Sequence, residues 1–168
     1  KKIVDKIGKI AIDLFNQNRV GTVIKHIPGH GLSKFDTHFQ LPFISNNLNY
    51  LEKKDFSLFK NKKSLFAMTA HIVFNNLDEN NCITHSKKAI NYIRNKIGFK
   101  NLIISDDISM KALRYDLITN AKKSLNAGCN LVLYCAGNIN DNFKLIKSLP
   151  YIDKFTAKKT SEFYKFLG

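Results

Sequence analysis

The sequence lacks several features that would place it in a particular class of protein. It has no run of about 18 apolar residues, so no membrane span is predicted. Its lysine-rich start is not followed by the apolar region that a signal peptide has. Its cysteines, Cys82, Cys129 and Cys135, are odd in number and form no CxxC pair, which argues against a disulfide framework and a zinc knuckle. We therefore expect free thiols and a reducing, cytoplasmic setting.

Arginine is also scarce, and this bears on the net charge of +14, which by itself favours a nucleic-acid partner. Only three of the 27 basic residues are arginines, the side chains that bind bases and phosphates with paired hydrogen bonds. The basic residues are spread evenly, with 7 in residues 1–40, 5 in 41–80, 7 in 81–120 and 8 in 121–168. This distribution indicates biased residue usage, and no nucleic-acid partner is predicted.

The 168 residues, 44% of them apolar, are enough for one domain with a hydrophobic core. Four short runs are rich in β-branched or aromatic residues and lack polar alternation, which is typical of parallel strands covered on both faces. These runs are GTVIKH (21–26), SLFAMTAH (64–71), NLIISDD (101–107) and NLVLYC (130–135).

Helical segments are predicted around these strands, at 2–18, 46–60, 86–97, 114–127, 141–148 and 153–166. Ser86 is expected as a helix N-cap, and Gly98 and Gly128 are expected to end the helices before them. The alternation of helices and strands predicts an α/β fold with a parallel sheet.

Polar side chains stand at the carboxyl ends of three predicted strands: Lys25 and His26, then His71, then Asp106 and Asp107. The carboxyl ends of parallel strands form the active face of a TIM barrel, and ligands bind there in doubly wound sheets too. Four strand–helix units in about 150 residues amount to half of an eight-fold barrel. The prediction is the C-terminal half of a (β/α)8 barrel, with residues 1–168 as a single domain whose N-terminal half is missing. The first residue is not Met, so we expect a longer parent chain.

The stretch KHIPGHGLSKFDTH (25–38) holds three of the five histidines. Metal ligands could come from this stretch and from two strand ends, namely from His26, His30, Asp36, His38, His71 and Asp106. The spacing is not that of a helical HExxH zinc site, and PGHG does not match the phosphate-binding glycine motifs. The glycines are expected to let the backbone bend after the strand, with His30 as a structural residue of the turn. No metal or other cofactor is predicted.

Two pairs of residues are candidates for acid–base or nucleophilic chemistry. In an extended loop Asp36 and His38 share a face, where the carboxylate would orient an imidazole that donates and accepts protons near neutral pH. A solvated polar loop explains that spacing equally well. Asp106 and Asp107 point opposite ways at a strand end. One faces the barrel mouth as a nucleophile or base, and the other bonds backbone or caps the next turn.

Four blocks of the sequence match a known family in order and spacing, and together they span essentially the whole chain. KHIPGHGLSKFDTH resembles KHFPGHG-x4-DSH, and MTAHIVFNNLD (68–78) resembles M-[ST]-A-H-[IV]. GFKNLIISDDISMKAL (98–113) resembles GF-x-G-[VL]-[IV]-x-SDD-[LM]-SM, and AGCNLVLYCAG (127–137) resembles AGCD-x-[VIL]-L-x-C-x-[GN]. These are segments of family 3 glycoside hydrolases of the bacterial β-N-acetylhexosaminidase type.

The resemblance implies a (β/α)8 barrel and a retaining mechanism that needs no cofactor. Asp106 corresponds to the family's nucleophile, which forms a covalent glycosyl-enzyme. His38 corresponds to its general acid/base, with Asp36 as the carboxylate partner. Lys25 and His26 correspond to the pair that hydrogen-bonds sugar hydroxyls. The implied substrate is terminal β-linked N-acetylglucosamine on peptidoglycan fragments, removed in the cytoplasm during cell-wall recycling.

The sequence departs from the family at Ile27, where members have Phe, and at Thr37, where they have Ser. The larger departure is the family's N-terminal barrel half, which these residues do not include. We expect the chain alone to aggregate, or to be active only with a partner that supplies this half. Two alternatives stay open: an inactive remnant that binds sugar or persists as a fragment, and a metal-dependent hydrolase on the same barrel.

Overall fold

A parallel four-stranded sheet organises the chain. The computed structural model describes residues 1–33, 35–37 and 39–168. The sheet has the spatial order β1-β3-β5-β6 and every pair in it is parallel. Its strands are β1 (Val23–Ile27), β3 (Phe66–Thr69), β5 (Leu102–Asp107) and β6 (Leu131–Leu133). These are the four strands predicted from the apolar runs, and the parallel α/β class is confirmed.

A second, two-stranded sheet was not predicted from the sequence. It pairs β2 (Phe43–Ile44) with β4 (Val73–Phe74), again in parallel. Two residues are too few for a hydrophobic period to show, so no sequence pattern indicates these strands. They nevertheless carry core side chains, since Phe74 is fully buried.

Six α-helices surround the strands in the described part of the chain. They are α1 (Lys2–Gln17), α2 (Leu48–Lys54), α3 (Lys87–Tyr92), α4 (Leu117–Ala127), α5 (Ile139–Ser148) and α6 (Lys154–Leu167). The predicted caps are confirmed: Ser86 Oγ accepts a hydrogen bond from Ala89 N at 3.0 Å, and both glycines adopt the left-handed region, with φ of +83° at Gly98 and +113° at Gly128. An L side chain is strained in that region, which explains glycine at both helix ends.

The largest differences between the predicted and the observed helices are in three places. The segment 46–60 is not one helix, because α2 ends before Asp55 and a 3₁₀ turn, Phe56–Phe59, follows. The segment 86–97 is α3 followed by a π-helical turn, Ile93–Ile97. Helix α4 begins later than predicted, since Asp116 Oδ1 accepts the hydrogen bond from Thr119 N at 3.0 Å and so caps the helix there.

The core has two parts. The larger part packs side chains of the sheet and of the second sheet against α2 and α3, and includes Ile27, Leu51, Phe56, Phe74, Ile90, Ile93 and Ile103. The smaller part lies around α4 and α5 and includes Val73, Ile108, Leu113, Ala121 and Leu145. The two central strands are therefore covered, and their carboxyl ends are held in fixed positions for the polar groups that follow.

The outer elements are much less covered than the core. Within the described residues, β1 and β6 each pair with a single neighbour, and Val23 on β1 is 43% exposed. Helix α1 carries an exposed apolar stripe, Ile3, Val4, Ile7, Ile10, Leu14 and Phe15, each about half or more exposed. With 16 residues, α1 is the longest of the helices described, and none of those helices is long and apolar enough to cross a bilayer.

The three cysteines are free thiols, as predicted. Cys82 and Cys129 are buried, and burial raises the pKa of Cys82 to about 11 and that of Cys129 to about 12. Both thiols therefore stay protonated at neutral pH and behave as small apolar groups. Cys135 is exposed, and partial burial raises its pKa as well.

Replacing Phe56 with Ala is expected to destabilise the fold strongly. The ring is fully buried and makes edge-on contacts with Phe74 at 5.1 Å and with Tyr92 at 5.8 Å between centroids. Phe56→Ala should lower the free energy of unfolding by about 3–5 kcal/mol in urea titrations, because it leaves a cavity. Tyr151→Ala, at a fully exposed position, should change it by less than about 0.5 kcal/mol. A loss below about 1 kcal/mol in Phe56→Ala would contradict this description of the core.

Candidate functional site

The carboxyl end of β1 carries the first two predicted site residues. Lys25 is exposed and His26 is half-buried. The peptide bonds Lys25–His26 and Ile27–Pro28 are both cis. The His26 ring packs against the ring of His30, with centroids 5.3 Å apart. His30 thus contacts a site residue directly from the turn in which it was predicted to be structural.

Asp106 lies at the carboxyl end of β5 and faces His26. Its Oδ2 is 3.5 Å from His26 Nε2, and its side chain is only 14% exposed. Its Oδ1 accepts a hydrogen bond from the backbone N of Asp107 at 2.8 Å, which fixes the carboxylate. The structure therefore brings two of the predicted site residues together, although 80 positions separate them in the sequence.

Asp107 points away from Asp106, as the alternation of a strand predicts. Its Oδ1 accepts hydrogen bonds from the backbone N of Ser109 at 3.0 Å and from that of Cys135 at 3.1 Å. The second bond joins the end of β5 to the segment after β6. Asp107 thus bonds backbone, which was one of its two predicted roles, and it caps a turn rather than a helix.

His71 is fully buried between the ends of β3 and β5. Its Nε2 is 3.0 Å from the backbone O of Asp107, which can only accept, so Nε2 carries the proton. In the neutral ring Nδ1 accepts from Thr84 Oγ1 at 2.7 Å, and Thr84 accepts in turn from Thr69 Oγ1 at 2.8 Å. Thr69 Oγ1 accepts from the backbone N of Asp106 at 3.4 Å. One chain of hydrogen bonds thus runs from Asp106 to Asp107 by way of β3.

Burial sets the charge of both histidines next to Asp106. It lowers the pKa of His71 and that of His26, since a cation loses its hydration there. The Asp106 carboxylate opposes this shift in both rings without reversing it. The contact of Nδ1 with Thr84 Oγ1 is compatible with this neutral form, in which one ring nitrogen accepts.

Asp55 is a site residue that the sequence analysis missed. Its side chain is buried beneath the turn that follows β1, and its Oδ2 accepts a hydrogen bond from Gly31 N at 3.2 Å. A single acidic residue at the end of a short helix is ordinary in a sequence, so no pattern pointed to it.

The glycines were expected to let the backbone bend after β1, and the chain does turn here, at residues 28 and 31–32. Neither Gly29 nor Gly31 has a positive φ, so this bend does not use a left-handed backbone angle. Gly29 supplies space instead: a Cβ there would lie 2.3 Å from Asp55 Oδ2.

The second predicted pair, Asp36 and His38, is described only in part. Asp36 is exposed, and its backbone O accepts hydrogen bonds from Phe39 N and Gln40 N at 3.1 and 3.3 Å, which form a turn. His38 lies outside the described residues. The pairing of Asp36 with His38 therefore stays a prediction.

The candidate metal ligands do not form a cluster in the described part of the chain. Within residues 1–33, 35–37 and 39–168 no group of three His, Cys, Asp or Glu side chains is placed to hold a metal ion. Both ring nitrogens of His71 are already engaged by protein hydrogen bonds, so this ring has no lone pair to offer.

Comparison with known proteins places the chain in a family. A model of the glycosyl hydrolase family 3 N-terminal domain matches residues 1–158. A beta-hexosaminidase of Nitrosomonas eutropha is 40% identical over 149 residues, which are 86% of this chain and 42% of the relative. A parallel α/β barrel with a carboxylate at a strand end is the class that the fold and the site indicate. The chain belongs to glycosyl hydrolase family 3.

Solved structures agree with this membership. The beta-N-acetylglucosaminidase from Thermotoga maritima is 29% identical with a TM-score of 0.78, covering 99% of this chain and 39% of that one. A family 3 beta-N-acetylglucosaminidase from Paenibacillus sp. str. FPU-7 shares the fold with a TM-score of 0.87 at 21% identity, covering 98% of this chain and 34% of that one. The chain thus spans less than half of the length of these proteins.

Stability is expected to fall as the pH is lowered from about 7 to about 5. Burial lowers the pKa of His26, that of His71, and that of His85 to about 4. The unfolded chain, with histidine pKa values of about 6.5, therefore binds more protons than the native chain in this range. Urea titrations at the two pH values measure the difference.

His85→Leu tests the origin of this pH dependence. The Nε2 of His85 has no hydrogen-bond partner within the described residues, so the substitution loses no bond at that atom. It should reduce the pH-dependent loss of stability by roughly 1 kcal/mol, allowing for the partial exposure of the ring. Tyr151→Ala should keep the full pH dependence. An unchanged pH dependence in His85→Leu would contradict the attribution of this loss to the lowered pKa of His85.

Proposed function

We propose that the chain is the catalytic part of a retaining β-N-acetylhexosaminidase, a glycosidase that removes terminal β-linked N-acetylglucosamine. The observation that carries this proposal is the position of Asp106. The backbone N of Asp107 donates a hydrogen bond to Oδ1 of Asp106 and so fixes the carboxylate at the carboxyl end of β5. The carboxylate faces His26 and stays partly open to solvent. A fixed, accessible carboxylate at the mouth of a barrel suits a nucleophile.

In the proposed first step, an oxygen of Asp106 forms a bond to the anomeric carbon while the bond to the leaving oxygen breaks. His38 donates a proton to that leaving oxygen. In the second step water attacks the anomeric carbon, His38 takes the proton from the water, and Asp106 is released as a carboxylate. Asp36 is proposed to orient His38 and to stabilise its charged form. No metal or cofactor takes part, because both reacting groups are side chains.

Lys25 and His26 are proposed to bind sugar hydroxyls. Both stand at the end of β1, and His26 lies beside the Asp106 carboxylate. A neutral imidazole, as the lowered pKa of His26 favours, can both donate and accept a hydrogen bond. A sugar hydroxyl can also donate and accept a hydrogen bond, so it is a suitable partner for a neutral His26.

The proposed substrate is N-acetylglucosamine at the end of a peptidoglycan fragment, hydrolysed in the cytoplasm during cell-wall recycling. The names of the relatives support the sugar, since they are a beta-hexosaminidase and two beta-N-acetylglucosaminidases. The peptidoglycan source and the location follow from the resemblance of KHIPGHGLSKFDTH and SDD to the bacterial branch of the family.

We propose further that activity requires the other half of the barrel. A groove of about 440 Å³ runs between α1 and β1 and is lined by apolar side chains such as Val4, Ile12, Val23 and Ile24 beside the site residues. A strand placed there would pair with the free edge of β1 and cover the exposed stripe of α1. Such a strand could come from the part of the Nitrosomonas eutropha relative that this chain does not match.

Replacing Asp106 with Ala should abolish hydrolysis of a chromogenic β-N-acetylglucosaminide. The enzyme assayed would be this chain joined to the amino-terminal part of the Nitrosomonas eutropha relative. Without the nucleophile, we expect kcat to fall by at least about 10³-fold. Asp13→Ala, an exposed carboxylate on α1, is the matched control and should retain activity. Equal rates in Asp106→Ala and in the unmodified enzyme would remove Asp106 as the nucleophile.

The 168-residue chain alone is expected to self-associate and to be inactive. Its uncovered strand edges and the apolar stripe of α1 favour contacts between copies. Light scattering and the same chromogenic assay should show aggregates without activity, and adding the amino-terminal part should restore monomers and turnover. A monomeric chain that hydrolyses the substrate by itself would contradict the need for the other half.

A further inference from the structure

A buried carboxylate lies directly beneath the turn that follows β1. Asp55, between α2 and the 3₁₀ turn Phe56–Phe59, is only 8% exposed. Its Oδ2 accepts a hydrogen bond from the backbone N of Gly31. Within the described residues no Lys or Arg forms an ion pair with Asp55, and burial raises the pKa of its carboxyl group. Burying such a group without a cationic partner is costly, so its position calls for a structural or functional reason.

The turn is built around this carboxylate. A Cβ on Gly29 would lie 2.3 Å from Asp55 Oδ2 and 2.4 Å from its Cγ, distances that real atoms do not reach. Gly29 is therefore the residue that lets the carboxylate touch the backbone. A Cβ on Gly31 would lie 3.6 Å from Asp55 Oδ1, which is an ordinary contact distance. Gly31 instead interacts with Asp55 through the hydrogen bond from its backbone N. The carboxylate thus lies close to Gly29 on one side of His30 and accepts the hydrogen bond of Gly31 on the other.

His30 connects the turn to the candidate active site. Its ring packs against that of His26, and His26 Nε2 is 3.5 Å from Asp106 Oδ2. A shift of the turn would therefore move His30 first, then His26, and so change what faces Asp106. His30 also favours the ionised form of Asp55, which strengthens the bond to Gly31.

We propose that Asp55 is a positioning residue: its carboxylate holds the turn from Pro28 to Gly31 and thereby keeps His26 aligned with Asp106. The inference rests on the proposed function for its effect on turnover. Its structural part, the hold of Asp55 on Gly31, stands independently of that function.

The structural part is tested in the completed enzyme, this chain joined to the amino-terminal part of the relative, by hydrogen exchange of the Gly31 amide, followed by NMR. Asp55→Ala should accelerate this exchange at least about tenfold, since the acceptor is lost. Asp55→Asn keeps an acceptor oxygen and should hold the rate within about threefold of the original. Asp13→Ala should leave the rate unchanged. Exchange that is equally slow in Asp55→Ala would overturn the proposal.

The functional part is tested in the enzyme completed with the amino-terminal part of the relative. Asp55→Ala should lower kcat/KM about 10–100-fold because His26 is misaligned. Asp55→Asn should recover most of that loss. Rescue by the amide distinguishes positioning of the turn from a general loss of folding, and the urea midpoint of each variant is measured alongside.

Gly29→Ala is a second, independent way to displace the turn from Pro28 to Gly31. Its methyl group meets the carboxylate, so it should lower kcat/KM about as much as Asp55→Ala. The double variant should be no worse than Gly29→Ala alone, because removing the carboxylate makes room for the methyl group. If the loss of kcat/KM in the double variant equalled the product of the losses in the two single variants, the proposal would be overturned.

Asp13→Ala, at the exposed carboxylate on α1, is again the control and should be neutral. If the completed enzyme itself were silent, the proposed function would fail, while the Gly31 exchange data would still decide the role of Asp55.

Discussion

The hydrogen bond from His71 to the backbone O of Asp107 is the contact on which the arrangement of the candidate site depends. The Nε2–H group of a fully buried imidazole donates this bond, and burial lowers the pKa of the ring and so favours its neutral form. The same ring, through Thr84 and Thr69, reaches the backbone N of Asp106. The two consecutive aspartates of β5 are thereby tied to β3, which lies beside them in the sheet.

Three carboxylates near the site have three different environments, and these decide what each can do. Asp107 is occupied by backbone N–H groups and joins the ends of β5 and β6. Asp55 is buried under a turn and is in contact with backbone. Asp106 combines a fixed orientation with a side chain that faces His26 and keeps some exposure. Of the three, Asp106 has an oxygen that faces His26 and is not held by backbone N–H, and this is why the proposed chemistry centres on it.

The uncovered surface of α1 and β1 is the basis for proposing that another part of the barrel is needed. Parallel sheets are normally covered on both faces, and an exposed strand edge favours pairing with a further strand. The chain spans 42% of its Nitrosomonas relative, and the proposed association with further barrel strands would cover this surface. The groove between α1 and β1 lies where such a strand would be added.

Local chemistry within the sequence was sufficient for much of the fold. The four strands follow from their β-branched composition, and the helix ends at Ser86, Gly98 and Gly128 follow from side-chain capping and from backbone angles that only glycine adopts easily. The opposite directions of Asp106 and Asp107 follow from the alternation of a strand. Each of these depends on neighbours within a few residues, so the sequence by itself determined them.

Contacts between distant segments were decided only by the tertiary structure. The approach of His26 to Asp106, the bond of His71 to Asp107, the pairing of β2 with β4 and the contact of Asp55 with Gly29 all join residues at least 26 positions apart. Such contacts leave no periodic signal in the sequence. They arise when the parallel sheet brings its carboxyl ends to one edge, where burial removes water and fixes which groups donate, accept or stay neutral.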